Sequence, residues 1–254
     1  MNTLDLQTDL QTRVEVVTLT DKGPFRKNNE DSIVVVHASG YASLGKGTLM
    51  VVADGMGGMH DGAVASSMVT AKLPALYFES RILNPVESLV QAVAELNRKV
   101  YEAGGANGMG STVAACVIVN ESLVVVNVGD SRVYLLHDGK LRQLSRDHSM
   151  RRDFFSPFRS PDAMGLSHVL TQAIGPQPSV HPHVNITRIT PSAIVLLCSD
   201  GVTSSLSDSE IKEVLLASSF KNIPSELFSL VCEKQGDDNV SIIAARLDRG
   251  APLR

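Results

Sequence analysis

Short runs of aliphatic and β-branched residues alternate along this chain with breaks rich in Gly, Asp and Ser, and the period of each run predicts its element. Val14-Glu15-Val16-Val17-Thr18-Leu19, Ile33-Val34-Val35-Val36 and Leu49 to Ala53 read as strands, the third of them buried, because branched side chains suit a pleated, packed surface. From Gly62 to about Glu79 the period becomes helical. A second helix is better marked. Asn84 can cap it, Pro85 suits its first position, Glu87 completes a start resembling a capping box, and Val86, Leu89, Val90, Val93, Leu96 and Val100 form its apolar stripe. Ser111 to Leu144 reads as an antiparallel meander, with a turn at Asn120-Glu121, a loop at Gly129-Asp130-Ser131-Arg132 and a hairpin turn at Asp138-Gly139. Such short connections cannot make parallel crossovers, which need about a dozen residues or more, and this argues against a doubly wound nucleotide-binding fold.

Between Asp147 and about Leu170 the pattern dissolves. Arg151, Arg152, Phe154, Phe155, Phe158 and Arg159 sit there among Ser, Pro and Asp with no sustained period, so the stretch reads as a surface flap. Beyond it come a strand from Ala193 to Cys198, a helix begun by the capping box Ser207-Asp208-Ser209-Glu210, another near Pro224 to Glu233, and a last strand from Val240 to Arg246. Two helices in the first half and two near the end must cover sheet faces. With no repeat, low-complexity tract or linker, the expected organisation is a polar lead over residues 1–12 and one domain over 13–248, with the flap at about 147–170.

Composition narrows the function. The chain has 254 residues and is 43% hydrophobic, enough for a substantial core, but only 4% aromatic with no Trp, so that core must be aliphatic. A net charge of −4 and the absence of any Lys/Arg-rich run exclude the electrostatic footprint of a nucleic-acid binder. Cys116, Cys198 and Cys232 lie far apart in apolar segments, as small core residues do, rather than in a disulfide or zinc pattern. The polar N-terminus does not resemble a signal peptide, and every apolar run is too short to span a bilayer. The expectation is a soluble, cytoplasmic monomer.

The candidate chemistry lies in four acidic clusters at the ends or starts of apolar runs: Ala53-Asp54-Gly55, Val128-Gly129-Asp130, Ser199-Asp200-Gly201 and Gly236-Asp237-Asp238-Asn239. Any one Asp-Gly is ordinary turn chemistry. Several such carboxylates at one rim of a core would repel unless a cation neutralised them, and an all-oxygen donor set favours Mg²⁺ or Mn²⁺.

Taken in order, Arg26-Lys27-Asn28-Asn29-Glu30-Asp31, Asp54-Gly55-Met56-Gly57-Gly58, Gly108-Met109-Gly110-Ser111-Thr112, Gly129-Asp130-Ser131-Arg132, Arg146-Asp147-His148-Ser149, Ser199-Asp200-Gly201 and Asp238-Asn239 resemble the metal-dependent Ser/Thr protein phosphatases, type 2C, in their bacterial form. The resemblance runs from about Val14 to Leu247. It implies an α+β fold, a four-layer α-β-β-α sandwich of two antiparallel sheets flanked by helices, with a two-metal centre for Mn²⁺ or Mg²⁺ at one end. Asp54 would bridge both metals, Asp200 and Asp238 would hold the first, the carbonyl of Gly55 would contact the second, and Glu30 and Asp31 would act through bound waters. Asp130 with Asp200 would form a weaker third site. Arg26 would bind the phosphate dianion with its planar guanidinium. Arg132 reads as a brace for the Asp130 loop and His148 as a residue packed against its turn.

Two positions depart from the family pattern. Met59 stands where many bacterial members have His, and the histidine follows as His60, a candidate proton donor displaced by one residue. The flap is short and unusually rich in Phe and Arg. The implied function is hydrolysis of phosphoserine and phosphothreonine on proteins, opposing a Ser/Thr kinase in signalling. The alternatives are a pseudophosphatase that only binds, or a phosphatase of a sigma-factor regulator or of a small phosphoester. The presence of Asp54, Asp200 and Asp238 weighs against the first.

Overall fold

The structure, a computed structural model, describes residues 13–37, 45–56, 61–104, 108–150 and 169–248. The polar lead, His60 and the Phe and Arg residues of the flap lie outside them. In chain order the strands are β1 (Arg13–Asp21), β2 (Asp31–Val36), β3 (Thr48–Asp54), β4 (Val113–Val119), β5 (Ser122–Val128), β6 (Arg132–His137), β7 (Lys140–Gln143), β8 (His183–Arg188), β9 (Ile194–Cys198) and β10 (Val240–Asp248). The helices are α1 (Gly62–Phe78) and α2 (Pro85–Gly104), then α3 (Asp200–Thr203), α4 (Asp208–Ala217) and α5 (Ile223–Glu233) near the end.

Two antiparallel sheets of five strands result. One has the order β1-β10-β9-β6-β7, the other β2-β3-β4-β5-β8. The strands read as continuous apolar runs because alternate residues feed two different cores. On β3, Met50 and Val52 point between the sheets, whereas Leu49, Val51 and Ala53 point at α1 and α2. On β9, Val195 and Leu197 face the other sheet, and Leu196 and Cys198 face α4 and α5. The layer order helix, sheet, sheet, helix follows from that division.

The helix starts behave as their side chains dictate. Asn84 Oδ1 accepts from the backbone N–H of Val86 at 2.9 Å, and the reciprocal capping box of Ser207 and Glu210 is formed. Asn120, Asp138 and Gly139 take positive φ at the two expected turns. The meander needs one correction. β5 and β6 are consecutive but belong to different sheets, so the chain crosses the sandwich at Gly129–Ser131 rather than turning within one sheet. Gly129, at φ +102°, allows that crossing, and a Cβ there would press on the Thr112 side chain. Sequence pattern also missed β8, whose alternation is short and rests on two apolar residues, Val184 and Ile186. Cys116, Cys198 and Cys232 are free, the first two fully buried. Among the described residues no helix is long and apolar enough to cross a membrane.

Candidate active site

Strand register decides which acidic residues meet. Asp31 opens β2 and Asp54 closes β3, and the two are direct partners in the ladder. Arg132 of β6 and Ile242 of β10 both pair with Cys198 of β9. Asp130, just before β6, Asp200, just after β9, and Asp238, just before β10, are thereby delivered to the same end of the sandwich.

Asp54 is fixed through its backbone. Its N–H donates to Thr112 Oγ1 at 3.0 Å, its carbonyl accepts the Thr112 N–H at 2.8 Å, and the Thr112 and Ser131 hydroxyls share a hydrogen bond of 2.7 Å. The chain then turns, with the Gly55 N–H donating to the Glu30 carbonyl at 3.1 Å. A Cβ at Gly55 would run into the backbone of Gly62 and the carbonyl of Glu30, so only glycine fits.

Asp31 is buried, and its Oδ2 accepts from Ser199 Oγ at 2.7 Å. Ser199 Oγ in turn accepts the Ser241 N–H at 3.0 Å, which ties β2 to the ends of β9 and β10. Asp31 Oδ1 is buried without a hydrogen-bond partner among the described residues. Asn239 is the other tie. Its Oδ1 accepts the Glu30 N–H at 2.9 Å, and its Nδ2 donates to the carbonyls of Lys22 at 3.0 Å and Asn28 at 2.9 Å. It thus holds the loop that carries Arg26 against the loop that carries Asp238. Arg26 Nη2 donates to Asp238 Oδ2 at 2.9 Å.

Electrostatics report how close the carboxyls lie. Burial raises Asp31 to about 7; hydrogen bonds from Ser199 and Ser241 oppose the shift, and Asp200 and Asp238 add to it. Burial likewise raises Asp130 to about 7, with Asp200 and Asp147 adding to the shift and Arg132 opposing it. Asp54 is pushed well above the usual carboxylate range by burial and then by Asp200, Asp31 and Asp130. A group of carboxyls that raise one another's pKa, with one buried oxygen lacking a donor, fits a hard divalent cation in charge and donor type. Among the described residues no three of these side chains are closed into a ready shell around one ion, and Asp238 faces Arg26 instead.

The bracing of the Asp130 loop follows the sequence reading. Arg132 Nε and Nη2 both bond the Asp147 carboxylate, at 2.7 Å for the shorter contact to Oδ2, and Nη1 donates to the Tyr134 hydroxyl, which donates to Asp208. His148 Nδ1 accepts the Gly129 N–H at 3.1 Å. The Glu30 backbone also ties the site together, its carbonyl accepting from Gly55 and from Ser66 Oγ. Thr112, Ser199 and Asn239 stood inside the motifs with no role assigned to them. The available signal was a polar residue adjoining an apolar strand and a candidate ligand, as at Cys198-Ser199-Asp200.

Comparison with known proteins agrees with this geometry. The family model described as Protein phosphatase 2C matches residues 27–241. The chain is 30% identical over 237 residues to the serine/threonine phosphatase stp of Listeria innocua, covering 88% of this chain and 92% of that one. Among solved structures it resembles serine/threonine phosphatase Stp1 of Staphylococcus aureus, with a TM-score of 0.80, 27% identity and coverage of 93% and 96%. It also resembles PppA, a key regulatory component of T6SS in Pseudomonas aeruginosa, with a TM-score of 0.77, 28% identity and coverage of 92% and 98%.

Proposed function

This chain belongs to the protein phosphatase 2C family and is a protein serine/threonine phosphatase, and from that premise we propose which of its residues perform the hydrolysis. Metal dependence belongs to the family; the number of ions and their ligands are our reading. Asp54, Asp200, Asp238 and the Gly55 carbonyl would hold two ions, Mn²⁺ or Mg²⁺, with Asp31 and Glu30 acting through waters and Asp130 with Asp200 holding a weaker third. When bound, the ions supply positive charge that acidifies water and offsets the charge building on the phosphoryl oxygens.

The protein's own part is placement. Thr112 and the turn at Gly55 fix Asp54, Ser199 fixes Asp31, and the Arg132–Asp147 pair fixes the loop of Asp130. Arg26, on the rim and half exposed, binds the phosphate and turns phosphorus toward the carboxylate cluster. His60 is the candidate donor of a proton to the departing serine or threonine oxygen. Substrates are phosphorylated proteins, and in our reading the enzyme works as a cytoplasmic monomer, with residues 13–248 as its catalytic domain, against a Ser/Thr kinase. The observation that carries the reading is the ladder pairing of Asp31 with Asp54 together with the Ser199 link to Asp31, which gathers carboxylates from distant chain segments at one rim.

The test is hydrolysis of a phosphothreonine peptide and of p-nitrophenyl phosphate by the purified protein. Activity should require added Mn²⁺ or Mg²⁺, vanish with EDTA, and be lost in Asp54→Asn with an unchanged circular dichroism spectrum. Full turnover by Asp54→Asn would overturn the assignment. In the same assay His60→Ala should slow the peptide far more than the nitrophenyl ester, because an alkoxide needs a proton to leave and nitrophenolate does not.

A further inference from the structure

The residue ascribed to phosphate binding is already engaged. Arg26 Nε donates to the Asp237 carbonyl at 3.0 Å, and Nη2 donates to Asp238 Oδ2 at 2.9 Å. Asp238 Oδ1 accepts the backbone N–H of Asn239 at 2.8 Å. Both oxygens of a carboxylate that would ligate metal are therefore occupied from within the protein. The two occupants differ in kind. The Asn239 N–H belongs to the chain turn itself, which the Asn239 side chain pins to Lys22 and Asn28, whereas Arg26 is a long side chain, 49% exposed, that can swing into solvent. A cation arriving at Oδ2 would meet the guanidinium charge at hydrogen-bond distance, and the two cannot both keep close contact with one oxygen.

We propose that Arg26 is a metal-displaceable latch on Asp238: the guanidinium occupies the carboxylate until an ion takes Oδ2, and its release is what presents it to the phosphate. The proposal rests on the reading that Asp238 holds metal and Arg26 takes phosphate, and adds a coupling between those two events. Arginine suits the role because its fork offers several donors in one plane, so the group that leaves a carboxylate is already shaped for a phosphate. The coupling is reciprocal by necessity. If metal frees Arg26 for phosphate, phosphate must tighten the metal by the same factor. Metal-free enzyme would keep its phosphate arm folded away, and loading would precede substrate capture.

The experiment is calorimetric titration of Mg²⁺ into the EDTA-stripped full chain, with and without inorganic phosphate, for wild type, Arg26→Ala, Arg26→Lys and Asp238→Asn. Without phosphate, Arg26→Ala should bind the first ion about two- to fivefold more tightly than wild type, the scale of an exposed ion pair. Arg26→Lys, which keeps the charge but cannot span Asp237 and Asp238 together, should also tighten. Phosphate should tighten the ion in wild type and do so much less in Arg26→Ala. Equal or weaker metal binding by Arg26→Ala, wild-type affinity in Arg26→Lys, or a phosphate effect equal in wild type and Arg26→Ala would each overturn the latch. Asp238→Asn separates the premise from the proposal. Unchanged affinity in that variant would remove Asp238 from the metal site altogether, while weakened affinity there with an unchanged Arg26→Ala would defeat the latch alone.

Discussion

At the scale of single residues, the acidic side chains proposed as metal ligands depend on hydroxyls and amides that hold them. Asp31 points where it does because Ser199 Oγ donates to one of its oxygens while accepting the Ser241 N–H. Residues that orient ligands in this way typically matter about 10–100-fold for metal affinity or activity. Ser199→Ala should therefore weaken Mg²⁺ binding within that range, seen by calorimetry, with the secondary structure intact. Wild-type affinity in Ser199→Ala would mean that Asp31 is held by its strand alone. Ser199 was legible in the sequence only as part of a motif. Its function depends on a partner 168 positions away, and nothing in local spacing announces that.

Among the elements, the loops rather than the strands are tuned. Strands β3, β9 and β10 are filled with interchangeable aliphatic residues serving two cores, but the loop before β10 packs so closely on the start of α3 that a Cβ at Gly201 would overlap the Asn239 carbonyl. That contact sets Asp200 beside Asp238. Gly201→Ala should lower both the melting temperature and the Mg²⁺ affinity. Gly139, in the open hairpin turn at φ +67°, is the control: alanine there should cost about 1–2 kcal/mol of stability from the left-handed backbone and leave metal affinity as it was. If Gly201→Ala kept full affinity, the close approach would not govern the site. Apolar periodicity showed the strands and the capping residues showed the helices. The crossing from β5 to β6 between sheets went unseen, because a short loop looks the same whether the next strand joins this sheet or the facing one.

For the molecule as a whole, gathering carboxylates at one rim ties stability to pH and to metal. Asp31 and Asp130 lie near 7 in the folded protein against 3.8 for an unperturbed Asp. Between pH 4 and about 7 the unfolded chain releases protons that the fold retains, so this cluster lowers stability as pH rises through that window when no metal is bound. In the proposed metal site a bound cation would replace those protons and reverse the loss. The melting temperature of EDTA-treated wild type should therefore fall from pH 5 to pH 7.5 more steeply than that of Asp130→Asn, and the gain on adding Mg²⁺ should grow over the same range. Scanning calorimetry would measure both. Parallel slopes for wild type and Asp130→Asn would show that Asp130 titrates outside the cluster.

The sequence by itself determined most of the strands, the capped helices, the aliphatic core and the identity of the acidic residues, since each of these is written in local apolar pattern or in residue chemistry. It also carried the family, through motifs whose order and spacing survive along the chain. Only the tertiary structure decided that Asp31 sits opposite Asp54, that Thr112, Ser199 and Asn239 hold the acidic loops in place, and that Arg26 lies on Asp238. These are contacts between segments distant in the chain, set by which strands pair and in what register, and no local pattern of hydrophobic and polar positions encodes that choice.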